Sequence, residues 1–197
     1  MKSRKLKDKG DKSAAPKIYH LKIALNGSEP PIWRLVAVKG NVSLDKLHRI
    51  IQCAMGWENY HLHEFIIKGE RIGTVDLDFD SDPDVVDEKQ VLLQDVVKQA
   101  RSKFSYVYDF GDDWEHEIVV KKITPPEENR HYPCCLAGER ACPPEDSGGI
   151  WGYEELLDIT SNPDHPDYEE MREWLGEGFD PGAFDLAAVN LALQRFK

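Results

Sequence analysis

Hydrophobic and polar residues alternate most regularly in residues 104–123, FSYVYDFGDDWEHEIVVKKI. Every second position in both halves of this stretch is apolar or aromatic, with one histidine among them: Phe104, Tyr106, Tyr108, Phe110, Trp114, His116, Ile118 and Val120. A period of two residues predicts two half-buried strands joined as a hairpin. A three-residue loop at 111–113 merges the two apolar sets into one buried face, and we therefore predict that register. Its cross-strand pairs are Phe110 with Trp114 and Tyr108 with His116.

The same pattern predicts the elements on either side of this hairpin. Strands are expected at 18–25 and 32–38, a helix at 43–56 capped by Ser43, and a second hairpin at 61–75 that turns at Lys68 and Gly69. This order is typical of an α+β protein with a mixed, largely antiparallel and β-grasp-like sheet, extended by the central hairpin at 104–123. We also expect an acidic loop at 76–88, a helix at 91–103 and irregular chain over 124–149. C-terminal helices are expected at 153–159, 167–175 and 185–196, with Asp185 as the last cap.

The charge of the chain is unevenly distributed. The net formal charge is -11, but residues 1–17 carry seven Lys or Arg and two Asp, a local charge of +5 that leaves -16 on the remainder. Residues 1–17 therefore read as a basic flexible tail and residues 18–197 as a single α+β domain. An acidic domain repels phosphate backbones, so we expect no nucleic-acid partner except through the tail.

Hydropathy and cysteine content predict a cytoplasmic protein. No run of about 18 apolar residues occurs, and the N-terminus lacks the apolar core of a secretory signal, so neither membrane insertion nor export is expected. Four cysteines, of which Cys134 and Cys135 are adjacent, do not form a disulfide framework in 197 residues. A reducing compartment keeps them as thiols.

Several residue strings together resemble the plasmid pRiA4b ORF-3-like family of microbial proteins, which occur on plasmids, mobile elements and chromosomes. The strings are PIWR at 31–34, LH at 47–48, GW at 56–57, HLHEF at 61–65, YVYDFGD at 106–112, WEH at 114–116, CPPED at 142–146, GG at 148–149, GY at 152–153 and FD at 184–185. The resemblance covers residue 18 to the C-terminus and implies no established activity. The chain departs from the family pattern at Ser147, where many relatives have a cysteine, which weakens any metal site built on that thiol.

The histidines and acids of the two hairpins are the first candidates for chemistry. His61 and His63 are two residues apart, a spacing that places two imidazoles on one face of a strand. With His116 and either Asp109 or Asp112 they would form a mixed site for a divalent ion that activates water. The alternative is structural: these groups would bond the backbone, Tyr108 and one another at a sheet edge. The sequence identifies no cofactor beyond this divalent ion.

Three further motifs have weaker chemical readings. Cys134, Cys135 and Cys142 would supply a zinc site with His131, but no Cys-x-x-Cys pair is present, and thiols packed in a loop are the simpler reading. Alternating aspartates at 78–84 resemble a calcium loop but lack its glycine and its final glutamate. The segment at 143–149 resembles an anion-binding helix start, but Glu145 and Asp146 would repel phosphate.

These observations favour a binding domain over an enzyme. We interpret the protein as an acidic module whose cleft, framed by the 104–123 hairpin, the 61–67 strand and the 142–149 loop, holds a protein segment or small ligand. The expected cleft residues are His61, His63, Tyr108, Asp109, Asp112, Trp114, His116, Glu145 and Asp146. The alternatives are a metal-dependent hydrolase that uses the His/Asp set, and an accessory protein of a plasmid or mobile element that acts on DNA through the tail.

Overall fold

Eight strands and five α-helices make up the regular structure of the computed structural model, which describes residues 15–75, 83–176 and 178–196. The strands are β1 (Ile18–Leu25), β2 (Trp33–Lys39), β3 (His63–Ile67), β4 (Glu70–Gly73), β5 (Val85–Asp87), β6 (Lys103–Tyr108), β7 (Trp114–Thr124) and β8 (Cys134–Glu139). The helices are α1 (Leu44–Met55), α2 (Leu93–Val96), α3 (Gly149–Ser161), α4 (Tyr168–Leu175) and α5 (Leu186–Leu193). Short 3-10 helices follow at Glu88–Gln90 and Gln194–Phe196.

The strands form one mixed sheet in the order β5-β4-β3-β6-β7-β1-β2-β8, in which only the β4–β5 pair is parallel. The predicted α+β class, the largely antiparallel sheet and the strand, strand, helix, strand, strand order are confirmed. The β6–β7 hairpin lies at the centre of the sheet, where it joins the β1–β2 pair to the β3–β4 pair. Tyr106, Tyr108 and Trp114 are at most 1% exposed, as the apolar period of the hairpin requires.

Helix α1 packs its apolar stripe into this core. Leu44, Leu47, Ile51 and Met55 are buried as predicted, and α1 ends at Gly56, whose φ of 110° is in the left-handed region that glycine tolerates. The polar side of the same helix face meets β6, because His48 and Gln52 both contact the hydroxyl of Tyr106. The helix therefore buries hydrogen-bonding groups together with its apolar residues.

The β8 edge of the sheet is covered by α5. The side chain of Asn190 accepts a hydrogen bond from the backbone N–H of Cys135 at 2.9 Å and donates one to its carbonyl, also at 2.9 Å. One amide side chain thus satisfies both outward backbone groups of that edge residue, as a neighbouring strand would.

The register of the central hairpin differs from the prediction. Tyr108 pairs with Trp114 and Tyr106 with His116, a shift of two residues from the expected pairs. Asp109 ends the strand early: its φ is 57°, its Oδ1 accepts from the N–H of Gly111 at 2.9 Å, and its carbonyl accepts from the N–H of Asp113. The loop therefore spans 109–113 instead of 111–113. Because the shift is even, each side chain keeps its face, except that Phe110 leaves the core and is 51% exposed.

Three other element predictions are wrong. The helix expected at 91–103 is a single turn, Leu93–Val96, after which the chain extends towards β6. Part of the expected acidic loop forms β5, which pairs with β4, and part of the expected irregular stretch forms β8, which pairs with β2. The alternating aspartates at 78–82 and the basic residues at 1–14 lie outside the described residues. No helix among the described residues is long and apolar enough to cross a membrane.

Candidate functional site

A histidine and three carboxylates converge at one end of the central hairpin. The Nε2 atom of His61 lies 3.2 Å from Asp146 Oδ1, 3.6 Å from Asp109 Oδ2 and 3.8 Å from Glu145 Oε2. We call these four residues the His61 cluster. Within the described residues no Lys or Arg forms an ion pair with the three acids, so the His61 cluster concentrates negative charge around one imidazole.

Backbone and side-chain bonds from three segments hold the His61 cluster in place. The N–H of Asp109 donates to the carbonyl of Leu62 at 2.8 Å, which fixes the hairpin loop beside His61. The carboxylate of Glu145 accepts from the hydroxyl of Tyr108 at 3.1 Å and from the N–H of Glu58 at 2.8 Å. Glu145 therefore fastens the 142–149 loop to the central hairpin and to the chain that precedes His61.

A glycine lets α3 approach the hairpin loop closely. A Cβ on Gly149, where φ is 69°, would lie 2.4 Å from the carbonyl oxygen of Asp112. The carboxylate of Asp112 accepts from the N–H of Gly148 at 3.0 Å, so Asp112 positions the start of α3 and is not part of the His61 cluster. The glycine pair of the 142–149 motif is needed for this contact.

Exposed apolar side chains lie next to the His61 cluster. Phe110 follows Asp109, Leu62 follows His61 and Tyr60 precedes it, and Trp151 is on the first turn of the helix that abuts Asp112. Their exposed fractions are 51% for Phe110, 63% for Leu62, 72% for Tyr60 and 80% for Trp151. We call these four residues the apolar rim. Exposed aromatic residues beside charged groups are typical of surfaces that bind a partner.

The other predicted cleft residues lie in the interior. Trp114 and His116 are 1% and 0% exposed, and the His116 ring meets the edge of Trp57 at 5.2 Å. His63 points its Nε2 to the carboxylate of Glu88 at 2.8 Å. The metal set that joins His61 to His63 and His116 is therefore wrong, because each histidine has different neighbours. Among the described residues, the group of three able to hold a metal ion is His61, Asp109 and Asp146.

A buried polar network passes from Glu88 to α1. His63 stacks face to face on His48, with ring centroids 3.3 Å apart, and His48 Nδ1 lies 2.8 Å from the hydroxyl of Tyr106. Glu88 is only 3% exposed and also accepts from the hydroxyl of Thr74. No local sequence pattern links Glu88 to His63, because Glu88 lies 25 residues further along the chain.

Burial keeps the imidazoles of His48 and His116 and the phenols of Tyr106 and Tyr108 uncharged at neutral pH. Desolvation, together with the neighbouring His63, lowers the pKa of His48 to about 3, and desolvation lowers the pKa of His116 to about 4. Desolvation raises the pKa of Tyr106, and desolvation with the nearby Glu145 raises that of Tyr108. Tyr108 therefore stays a hydrogen-bond donor to Glu145 at neutral pH.

The three candidate zinc thiols do not share a site. Cys134 and Cys135 are neighbours on β8, so their side chains point to opposite faces of the sheet, and all four cysteines are free thiols. Burial raises the pKa of Cys134, Cys135 and Cys142, which disfavours the thiolate that a metal would need. These residues are packing residues of β8 and of the loop that follows it.

The α+β fold agrees with the family of proteins that the residue strings in the sequence indicated. The model of the plasmid pRiA4b ORF-3-like protein family matches residues 17–188, and the chain belongs to that family.

Two relatives align with most of this chain. An uncharacterized protein, y4hQ, of Sinorhizobium fredii is 36% identical over 178 residues, which are 89% of this chain and 90% of the relative. The crystal structure of MM3350, a protein of unknown function from Methanosarcina mazei, has a TM-score of 0.80 and 40% identity, and covers 88% of this chain and 98% of its own. Neither description assigns an activity.

Proposed function

We propose that residue 18 onwards is a single cytosolic binding domain, and that its ligand is a protein segment carrying a basic side chain between apolar ones. The observation that carries the proposal is the His61 cluster, in which three carboxylates face one imidazole without a described Lys or Arg to neutralise them. A guanidinium or ammonium group from a partner would supply the missing positive charge. The free thiols agree with a reducing compartment.

The apolar rim supports a protein segment over a free cation. Tyr60, Leu62, Phe110 and Trp151 are solvent-exposed and belong to the segments that carry or abut the His61 cluster, so a bound segment would bury them while its basic group enters the cluster. Interfaces commonly combine aromatic contacts of this kind with a few charged hydrogen bonds. The contact is through side chains, because the residues of the apolar rim belong to loops and to a helix rather than to an open sheet edge.

Selection from a displayed random-peptide library tests this function. We expect enriched peptides to share an Arg or Lys flanked by aromatic or aliphatic residues. Their affinity should fall at least about tenfold, or about 1.4 kcal/mol, in the Glu145→Gln/Asp146→Asn variant, which keeps size and removes two charges. The Glu169→Gln/Glu170→Gln variant removes two exposed charges from α4 and should bind like the parent. Peptides without a basic consensus, or equal binding to both variants, would contradict the proposal.

The second candidate function is a metal-dependent hydrolase, and a specific observation favours it. Ligand atoms bound about 2.1 Å from one ion lie about 3.0 to 3.4 Å from each other, close to the spacings around His61 Nε2. That nitrogen is buried and has no hydrogen-bond partner among the described residues, so its lone pair is available to an ion. The Asp146 side chain is 72% exposed, which would leave coordination positions open for an activated water.

Calorimetric titration with MnCl2 and with ZnCl2 tests the metal site at neutral pH. If the hydrolase is correct, the protein freed of metal binds one ion per chain, and the Asp109→Asn variant, which keeps the turn-forming side-chain oxygen, loses most of that affinity. Metal-loaded protein should then hydrolyse an activated phosphate or carboxylate ester. Absence of stoichiometric binding rejects the hydrolase, and binding without turnover supports a non-catalytic cation site.

A further inference from the structure

A groove separate from the His61 cluster lies between α1, the chain at 57–59 and the C-terminal 3-10 helix. It has a volume of 740 Å³, within the range of small-molecule sites. Residues from all three segments line it: Lys46, Arg49, Gln52, Asn59, Arg195 and Phe196. We call this the basic groove. Nothing in the binding function proposed above uses these residues.

The basic groove is positively charged on an otherwise acidic protein. Lys46 and Arg49 are three residues apart on α1, so they lie on one face of the helix, and Arg195 of the C-terminal 3-10 helix lines the same volume. One acid, Glu58, lines the same volume. Arg49 pairs with Asp45, whereas neither Lys46 nor Arg195 forms an ion pair within the described residues. Lys46 and Arg195 therefore give the basic groove positive charge that an anionic ligand would neutralise.

The inner end of the basic groove is built from fixed amides. Gln52 is 1% exposed; its Nε2 donates to the hydroxyl of Tyr106 at 2.9 Å, and its Oε1 has no hydrogen-bond partner among the described residues. A buried acceptor without a donor is costly, so an N–H group from a ligand that reaches the inner end would be favoured.

The hydrogen bonds of His48 fix the second amide. Because His48 is neutral, one of its ring nitrogens donates and the other accepts. The hydroxyl of Tyr106 donates to His48 Nδ1, and His48 Nε2 donates to the Oδ1 of Asn59. The oxygen of Asn59 is thereby occupied, and the group that Asn59 offers a ligand is its Nδ2 donor. The basic groove thus presents one acceptor, one amide donor and a set of cations.

From this arrangement we infer that the basic groove binds a mononucleotide. Asn and Gln amides pair with adenine, whose exocyclic N–H donates and whose ring nitrogen accepts, and this is the donor and acceptor set of Gln52 and Asn59. The phosphate is then held by Lys46 and Arg195, since guanidinium and ammonium groups are the usual phosphate partners. Phe196 provides a ring on the same wall, with the Arg195 guanidinium 5.0 Å from its centroid.

Calorimetric titration with AMP, adenosine and inorganic phosphate tests the inference on the full chain. AMP is expected to bind one per chain, and adenosine and phosphate each at least tenfold more weakly. The affinity of AMP should fall as NaCl is raised, because the phosphate contacts are electrostatic. Absence of AMP binding at millimolar concentration would overturn the inference, and phosphate binding as tight as that of AMP would overturn the nucleotide class.

Matched variants locate the bound nucleotide. The Lys46→Gln/Arg195→Gln variant should bind AMP at least tenfold more weakly, and Asn59→Asp, which replaces the donor by a charge, should do the same. The Lys98→Gln/Lys121→Gln variant loses two positive charges elsewhere and should bind like the parent. Equal affinity in all three variants would reject the basic groove as the site. Because these variants test AMP binding and the Glu145→Gln/Asp146→Asn variant tests peptide binding, the two proposals fail independently.

Discussion

Replacing Trp114 by alanine is expected to lower the free energy of unfolding by about 3 to 5 kcal/mol. Trp114 is 1% exposed, pairs with Tyr108 across the central hairpin and lies 5.9 Å from the Trp57 ring, so its removal leaves a large cavity at the centre of the sheet. Urea unfolding followed by circular dichroism measures the loss.

Trp151→Ala is the matched control for this measurement. Trp151 is 80% exposed, so the same truncation there should leave the free energy of unfolding almost unchanged. Trp114→Phe keeps an aromatic ring, so its free energy of unfolding should fall less than that of Trp114→Ala. It therefore serves as a second variant that still folds. A loss below about 1 kcal/mol in Trp114→Ala would show that this residue does not anchor the core.

Acidification is expected to destabilise the fold steeply below pH 6.5. The folded pKa values of His48 and His116 are about 3 and about 4, below the ordinary 6.5, so the stability that they contribute is fully present above pH 6.5. As the pH falls from 6.5 towards 4, the unfolded chain binds up to two more protons than the native chain. The free energy of unfolding should then drop by up to about 2.7 kcal/mol per pH unit.

Urea unfolding at pH 7.5, 6.0 and 5.0 measures this slope. A His116→Gln variant removes one of the two buried imidazoles and should show roughly half the slope. The exposed Trp151 serves as the control, because Trp151→Ala removes no titrating group and should keep the parent slope. A free energy of unfolding that stays flat between pH 7.5 and 5.0 would show that both imidazoles remain solvated.

The buried faces of the sheet were predictable because they follow from periodicity alone. Tyr106 and Ile118 are buried as the two-residue period requires. The register of the central hairpin instead depended on Asp109, whose side chain forms a turn with the backbone of Gly111. The hydrophobic pattern reflects only the spacing of apolar residues. It therefore favoured the 111–113 loop, which would bury Phe110. Instead, the side chain of Asp109 accepts a hydrogen bond from the backbone N–H of Gly111, and the strand ends there. Asp and Asn residues favour such turns, and here this local preference outweighed the burial of the Phe110 ring.

The candidate site was only partly predictable, for a related reason. His61 and Asp109 were identified because they are polar residues beside apolar strands, and Glu145 and Asp146 because they precede a glycine pair. The stack of His48 on His63 and the pairing with Glu88 depend on how α1 and β5 pack, which no local pattern encodes. Equally, nothing in the local sequence distinguished His61, which is half-buried beside three acids, from His63, which is buried two residues later.

The amide of Asn190 limits how this protein associates with others. By occupying the outward N–H and carbonyl of Cys135, it denies an incoming extended peptide the main-chain contacts needed to lengthen the sheet at β8. At the opposite margin β5 has three residues, which offers little length for such growth. Lengthening of the sheet by an added strand is thereby disfavoured at both of its margins.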